Sequence, residues 1–456
     1  MSYHSVIFAG ALHHRPGLFA AIVAVASAVL LAGCREPSLQ NFLSQEQASF
    51  TSGTEIEALI QSSFLAHDPE YHEHKAAFGP RLRALAGELA AIQATGSEMP
   101  CSNQIYLEAK WLFQYTVDWV RLDRKLTQLS DSLKNHDQAF ALQQTPETHL
   151  WGVCYDELFP QAEEALTWLD KLYEEDRAPT YRIKLPERIG TPAKLEAALN
   201  SLLVSDIAAT GRDNRGELGN ITTSLSQVLF KDRFRGFLQQ KVAPEQRQYE
   251  LSSFQAVYEN FVRRWQDPQS GYWGAWYRFK GRIYKSPDLS ITYHIIAYRG
   301  GEVAYWPQII DTTLRIEDEP YPFGWRHDAH FTNHNNYDVV RILKFGWPHM
   351  SAVQRLQAAN AIHSMLDWTL KESLNQDGSF KLDPAFFSSL AAEYYFGVSF
   401  LDQAGYWDRK KRFWTSESFP NGVVLCRVIR ARLLGLGLKD PQALHALEKL
   451  NSYCGT

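Results

Sequence analysis

A repeated glycine–aromatic turn is the feature that most constrains the fold of this chain. Segments in which a glycine adjoins aromatic residues centre on Gly271, Gly324 and Gly378, which lie 53 and 54 residues apart. Gly219 lies 52 residues before Gly271, and a degenerate copy of the turn surrounds Gly422. A fixed period of this length is typical of architectures that repeat one supersecondary unit. From about residue 195 onwards, the sequence therefore predicts stacked copies of such a unit.

Each turn precedes a segment whose apolar and polar residues fall on opposite sides of a helix. These segments are 222–230, 291–298, 337–345, 387–401 and 423–434, and further amphipathic segments such as 352–374 lie between them. One period then holds two helices and two loops, so neighbouring helical hairpins must stack to cover their apolar faces. Two alternatives stay open, a short strand at 291–298 and a β-hairpin at 278–285.

The residues before the repeat also show helical spacing. Leu82, Leu85, Leu89 and Ile92 form one apolar stripe, and Pro80 is expected in the first turn of that helix. A longer stripe predicts one continuous helix, and its members are Trp111, Tyr115, Trp119, Leu122, Leu126, Leu129 and Leu133. A set of packed helices is therefore predicted ahead of the repeat.

The turn at 375–380 carries a resemblance to a known superfamily. Its sequence, Asn-Gln-Asp-Gly-Ser-Phe, resembles the Gln-x-x-Asp-Gly-Ser-Trp turn that repeats in terpenoid cyclases and protein prenyltransferases. The resemblance implies an all-α fold in which helical hairpins close into an α/α toroid around a central cleft. We therefore predict a toroid domain at 191–456, preceded by an N-terminal helical region at 34–190.

The chemistry of that superfamily is not expected here. The Asp-x-Asp-Asp acid motif of the cyclases is absent, and the nearest acidic run, 316–319, has a different pattern. The Asp-x-Cys zinc ligands of the prenyltransferases are also absent. Since a fold does not dictate a function, we carry over the architecture alone and predict no cofactor and no metal.

The start of the chain predicts where the protein works. An uncharged apolar run, 17–33, ends in Leu31-Ala32-Gly33, and Cys34 follows directly. This arrangement resembles the bacterial lipoprotein signal, which implies removal of residues 1–33, acylation of Cys34 and a membrane anchor. Because residue 35 is Arg and not Asp, the resemblance implies the outer membrane, facing the periplasm or the exterior. The alternatives are a single transmembrane helix and a chance cysteine.

Four cysteines remain for disulfide bonds in such an oxidising compartment. They are Cys101, Cys154, Cys426 and Cys454. Of the three possible pairings we favour Cys101–Cys154 and Cys426–Cys454, because each joins neighbours in sequence. Buried free thiols are the alternative.

The densest group of polar residues lies at 327–338, just after the second turn. Three readings compete for it. The first is a polysaccharide lyase site, in which His334, Asn335 and Tyr337, with His294 from the preceding repeat, act on a sugar. His334 or Tyr337 would exchange the proton, and Asn335 would steady the developing charge.

Further residues could complete that site. Trp273, Trp276 and Trp325 could stack against sugar rings, and Glu393 and Tyr394 could bind substrate from the next repeat. An inverting hydrolase would instead use two carboxylates separated by a water, such as Asp338 and Glu393.

The other two readings involve no sugar. His327, His330 and His334 have the i, i+3, i+7 spacing of metal ligands on one helical face. Alternatively, the asparagines and aspartates only cap a helix and close turns.

These observations predict a membrane-anchored extracytoplasmic lipoprotein whose cleft binds, and in the enzymatic reading cleaves, a glycan. The alternative is a non-catalytic scaffold or receptor for a protein or an apolar ligand. The formal net charge of −5 favours no nucleic-acid partner. Whether the chain is an enzyme stays open at this point.

Overall fold

A computed structural model describes residues 48–95, 97, 99–135, 189–230, 251–327, 329–382 and 389–454, with single positions between 144 and 181. The predicted signal segment, Cys34 and Cys154 lie outside the described residues. Within the described part, no helix combines the length and the apolar character needed to cross a membrane.

The chain is mostly helical, as the sequence predicts. In chain order the helices are α1 (Gly53–His67), α2 (Tyr71–Ala94), α3 (Pro100–Tyr115), α4 (Trp119–Asn135), α5 (Pro192–Leu203), α6 (Ile207–Thr210), α7 (Arg215–Phe230), α8 (Leu251–Trp265), α9 (Leu289–Tyr298), α10 (Trp306–Arg315), α11 (Asn333–Gly346), α12 (Ala352–Trp368), α13 (Leu390–Gln403), α14 (Gly422–Leu436) and α15 (Pro441–Cys454). The four strands are β1 (Ala48–Phe50), β2 (Val204–Ser205), β3 (Trp276–Phe279) and β4 (Arg282–Lys285).

The predicted long helix through Trp111 and Leu133 is wrong, because the chain breaks between α3 and α4. Thr116 is extended, and the backbone N–H of Val117 donates to the carbonyl of Gly211. Asp118 then starts α4, since its side chain accepts from the backbone N–H of Arg121 at 3.0 Å. A helix cap and a tertiary backbone contact therefore interrupt a stripe that looks continuous in sequence.

The predicted start of α2 at Pro80 is also wrong, because Pro80 lies inside a helix that begins at Tyr71. The apolar stripe itself is confirmed. Leu82, Leu85 and Leu89 are buried in a core that α2, α3 and α4 share.

The sheet resolves the alternative that the sequence left open at 278–285, since β3 and β4 form an antiparallel hairpin there. Lys280 and Gly281 both have positive φ, which suits a tight two-residue turn. The sheet order is β1-β4-β3-β2, and both outer strands run parallel to their neighbours. Segment 291–298, the other open case, is helical and lies within α9.

A row of helices forms the second half of the chain. Along it, α7 packs on α9, α9 on α11, α11 on α13 and α13 on α15. Four further helices cover the row: α8 packs on α7, α10 and α12 pack on α11, and α14 packs on α15. From the N-terminal region, α3 contacts α7 and α2 contacts α13. We call α7, α9, α11, α13 and α15 the central row.

The glycine turns lie where the repeat predicts them in four copies of five. Gly271 and Gly378 adopt positive φ, and a Cβ on Gly378 would come within 2.7 Å of the Val428 carbonyl oxygen. Gly324 lies in the turn before α11. The backbone N–H of Gly422 donates to the Phe419 carbonyl oxygen in the turn that leads into α14. Gly219, in contrast, lies inside α7, so this predicted copy is wrong.

The Cys426–Cys454 disulfide is confirmed, and it joins α14 to the end of α15 with the two Cα atoms 5.8 Å apart. Cys101 is also disulfide-bonded. Its predicted partner, Cys154, is not among the described residues.

Candidate functional site

The polar segment 327–338 is part turn and part helix. The side chain of Thr332 accepts from the backbone N–H of Asn335, which starts α11 at Asn333. His327 and His330 precede the helix and exchange two backbone hydrogen bonds in a turn. The three histidines therefore do not share a helical face, and the metal-ligand reading fails on that point. No group of three metal-ligating side chains forms in the part of the chain that the structure describes.

Asn335 does not have the geometry of a catalytic residue. It is fully buried, and its Nδ2 donates to the carbonyl oxygen of Trp325 at 2.8 Å. Its Oδ1 lies 3.2 Å from His334 Nδ1. Because the amide is used to hold the preceding turn and to orient His334, the prediction that Asn335 steadies charge on a substrate is corrected to a positioning role.

Glu393 has a similar structural use. It is buried at the start of α13, and its Oε1 accepts from Asn333 Nδ2 at 2.8 Å. The same Nδ2 donates to Ser373, while Asn333 Oδ1 accepts from Thr369. This buried network links α11 to α13, so Glu393 is not open to a substrate as predicted.

The aromatic residues predicted to stack on sugars belong to the core. Trp273 and Trp276 are each 2% exposed and Trp325 is 0% exposed, so no ring face is free. Tyr394 is also fully buried, and its hydroxyl donates to the Gly378 carbonyl oxygen. The sequence cannot separate a buried tryptophan from one lining a cleft, because both kinds sit on apolar faces.

The structure does bring together the remaining predicted residues. His294 on α9 and His334, Tyr337 and Asp338 on α11 lie on adjacent helices of the central row. The Tyr293 and Tyr337 rings meet edge to face at 5.7 Å, which joins the two helices at this level. From α13, Phe396 packs its ring 4.3 Å from the ring of His334.

His334 is partly exposed, with 17% of its side chain accessible. Its Nε2 lies 4.0 Å from Asp338 Oδ2. Burial lowers the pKa of His334 to about 4, with a smaller opposing effect from Asn335. Burial likewise lowers the pKa of His294 to about 3, and the positive charge of His334 acts in the same direction. Both imidazoles are therefore neutral near pH 7.

Asp338 is a buried carboxyl group with unusual surroundings. It is fully buried, and among the described residues neither carboxyl oxygen has a hydrogen-bond partner. Burial raises the pKa of Asp338 well above its usual value, although Arg341 acts against this. The raised pKa favours the protonated form, and because the group is fully buried it cannot touch a substrate as the hydrolase reading requires.

Arg341 is a functional candidate that the sequence analysis missed. One guanidinium nitrogen, Nη1, donates to the hydroxyls of Tyr293 and Tyr337, at 3.0 Å each. Its spacing of four residues from Tyr337 on a predicted helix is the signal that could have found it. We name His294, His334, Tyr337, Arg341 and Tyr395 the polar cluster; the Tyr395 ring on α13 lies 6.3 Å from that of Tyr337.

Comparisons with protein-family models, with curated proteins and with solved structures find no match. The functional argument therefore depends on the residues of the polar cluster alone.

Proposed function

We propose that the polar cluster binds an anionic glycan and cleaves it by β-elimination. One observation carries the proposal: a neutral, partly exposed imidazole, His334, lies on the same helix as a Tyr337–Arg341 pair. Elimination next to a uronate carboxylate needs a base, an acid and a positive charge, and these side chains supply all three.

The proposed roles follow the chemistry of the step. His334 takes the proton on the sugar carbon that bears the carboxylate. The electron pair of that C–H bond forms a double bond to the neighbouring carbon as the glycosidic C–O bond breaks. The Tyr337 hydroxyl protonates the departing oxygen, and Arg341 stabilises the resulting phenolate and the uronate charge. His294 lines the site beside His334.

The low pKa of His334 fits this role once the anion is bound. A nearby carboxylate favours the protonated form of the imidazole and so raises the pKa of His334 from about 4 towards neutrality. The free protein then holds a neutral base, and the anionic substrate increases its basicity.

The architecture and the location are proposed with the function. Closure of the central row and its covering helices into an α/α toroid would surround the polar cluster with one cleft. Acylation of Cys34 after removal of residues 1–33 would hold that cleft at the cell envelope, facing the periplasm or the exterior. Substitution of Cys34 by Ser tests the anchor, because it should abolish incorporation of labelled palmitate and release the protein from membranes.

The test of the enzyme is the ultraviolet absorbance of unsaturated uronate over a panel of uronate polymers. We expect product with at least one polymer, and a loss of at least about 100-fold in kcat for His334→Gln and Tyr337→Phe. His363→Gln is the matched control, since His363 is half exposed on α12 and away from the polar cluster. Folded protein that releases no unsaturated product from any polymer contradicts the elimination.

A non-catalytic scaffold is the second candidate, and one observation favours it. The buried polar residues Asn335 and Glu393 complete packing and helix contacts and do not point to a ligand. A scaffold of this kind would bind the same polymers, or a protein or apolar ligand, without turnover. Binding by calorimetry with no absorbance change would favour it over the enzyme.

A further inference from the structure

Three cations lie towards one end of the central row: Arg341, which belongs to the polar cluster, and two lysines. Arg341 and Lys344 lie on α11 and Lys449 lies on α15, and all three side chains are partly buried. Their partners are neutral: the tyrosine hydroxyls for Arg341, Gln403 Oε1 at 3.4 Å for Lys344, and Ser399 Oγ at 2.8 Å for Lys449. Among the residues that the structure describes, none of the three has a carboxylate within 4.0 Å.

The acid that acts most on Lys344 and Lys449, Asp402, does not balance them. Asp402 on α13 is already paired with Lys411 at 2.6 Å and accepts from the Tyr453 hydroxyl. Lys411 and Asp402 together carry no net charge, so the positive charge of Arg341, Lys344 and Lys449 is left over. Partly buried cations without a counter-ion are costly, and an anion that entered would be strongly favoured there.

Helix spacing and contacts place the three cations on one surface. Arg341 and Lys344 lie three residues apart on α11 and so share a face of that helix. The Tyr395 ring is 5.5 Å from Lys449 Nζ and 6.3 Å from the Tyr337 ring, whose hydroxyl accepts from Arg341. Burial lowers the pKa of Lys449 to about 8; Asp402 acts against this, and Arg341 and Lys411 add to it. Burial lowers the pKa of Lys344 too, again with Asp402 opposing and Lys411 and Arg341 adding to it. Burial therefore outweighs the attraction of Asp402 at both lysines.

We propose that Arg341, Lys344 and Lys449 form an anion subsite that binds a sulfate or carboxylate group. Its place in the fold indicates the source of that group. Lys344 follows His334 by ten residues on α11, which is about 15 Å along a helix axis. A ligand that reaches both must be extended, so the subsite takes a charged substituent of an oligosaccharide. This last step rests on the proposed function, whereas the anion subsite itself does not.

Calorimetric binding at low salt tests the subsite. The probes are a sulfated uronate oligosaccharide, its desulfated form, a neutral oligosaccharide of equal length, and inorganic sulfate. We expect the charged oligosaccharides to bind and the neutral one not to bind. Lys344→Gln and Lys449→Gln should each weaken binding about tenfold, because each loses a charged hydrogen bond. Binding should also weaken with rising salt.

Two controls keep the result interpretable. Lys449→Arg retains the charge and should restore most of the affinity, which a packing defect would not allow. Lys371→Gln removes an exposed lysine from the segment after α12 and should leave binding unchanged. If inorganic sulfate binds as tightly as the sulfated oligosaccharide, the subsite is supported and its ligand is a free oxyanion. Affinity that ignores both lysine substitutions and the salt concentration overturns it.

The outcomes for the two proposals differ. Anion binding without an absorbance change leaves the subsite in place and contradicts the elimination. Turnover that persists unchanged in Lys344→Gln and Lys449→Gln supports the elimination and overturns the subsite.

Discussion

Two buried groups of polar side chains in the central row differ in whether their charged members have partners within the fold. In the first, which we call the closed cluster, Arg215 at the start of α7 binds Asp288 with two hydrogen bonds, at 2.7 and 3.2 Å. Tyr115 from α3 takes a third guanidinium hydrogen, at 2.7 Å. Asp288 also caps α9 by accepting from the backbone N–H of Ile291. Every strong donor and acceptor there has a partner within the fold.

The second, the open cluster, consists of Asp338, His334 and Arg341. Asp338 makes no hydrogen bond to a described residue, and Arg341 donates to hydroxyls where Arg215 donates to a carboxylate. Burial favours the neutral forms of both His334 and Asp338. The comparison teaches that a buried charge stabilises a fold only with its partner, while unsatisfied groups are better explained by a ligand.

We expect the largest change in the free energy of unfolding from a substitution in the closed cluster. Asp288→Ala leaves Arg215 buried without its counter-ion and removes the cap of α9, so we expect a loss of about 3–5 kcal/mol in the free energy of unfolding. Urea denaturation measures it. Asp367→Ala is the control, because the Asp367–Lys371 pair is exposed and should contribute no more than about 1 kcal/mol. A loss for Asp288→Ala as small as that of the control would break the comparison.

The next largest effect should be the dependence of the unfolding free energy on pH that His334 produces. Its pKa is about 4 in the folded protein and about 6.5 in the unfolded chain, so the unfolded chain binds the proton first as the pH falls. The stability that neutral His334 preserves is therefore fully present above pH 6.5 and is lost between about 6.5 and 4. The slope is up to about 1.4 kcal/mol per pH unit.

Urea denaturation at several pH values in this window tests that sign. His334→Gln should flatten the dependence, and His363→Gln, which changes a half-exposed residue, should leave it as in the wild type. An unchanged slope in His334→Gln would show that this imidazole is not held neutral.

The smallest effect should come from Asp338→Asn. Near pH 4 the raised pKa of Asp338 keeps the group protonated in the fold, so the amide replaces a neutral acid of the same shape. We expect a change within about 1 kcal/mol at that pH, below which the unfolded chain keeps the proton as well. The wild type should also lose stability relative to the variant as the pH rises above about 4, since the unfolded chain then releases the proton that the folded protein retains. If Asp338→Asn lost as much unfolding free energy as Asp288→Ala, Asp338 would instead be an ionised group with a partner in the fold.

The sequence predicted the helices of the second half because their apolar spacing is local. The predicted segments at 291–298 and 337–345 fall within α9 and α11, and α13 begins at Leu390, inside the predicted segment 387–401. The break at Thr116 was not visible, because it depends on a backbone contact with Gly211 almost 100 residues away. Arg341 was missed for a related reason: one of its two tyrosine partners lies on another helix, 48 residues earlier.

By itself, the sequence determined that the chain is mostly helical and that α9, α11 and α13 carry the polar residues of interest, and it favoured the Cys426–Cys454 pairing that the structure confirms. Spacing and composition act over a few residues, and they suffice for the helices and their polar residues. Tertiary structure alone decided which polar residues hydrogen-bond within the fold. Asn335 donates to a backbone carbonyl and Glu393 accepts from a side-chain amide of another segment, whereas His334 stays partly exposed. Whether a polar side chain is buried and hydrogen-bonded depends on residues that are distant in sequence. Burial and hydrogen bonding are also what distinguish a structural polar group from a functional one.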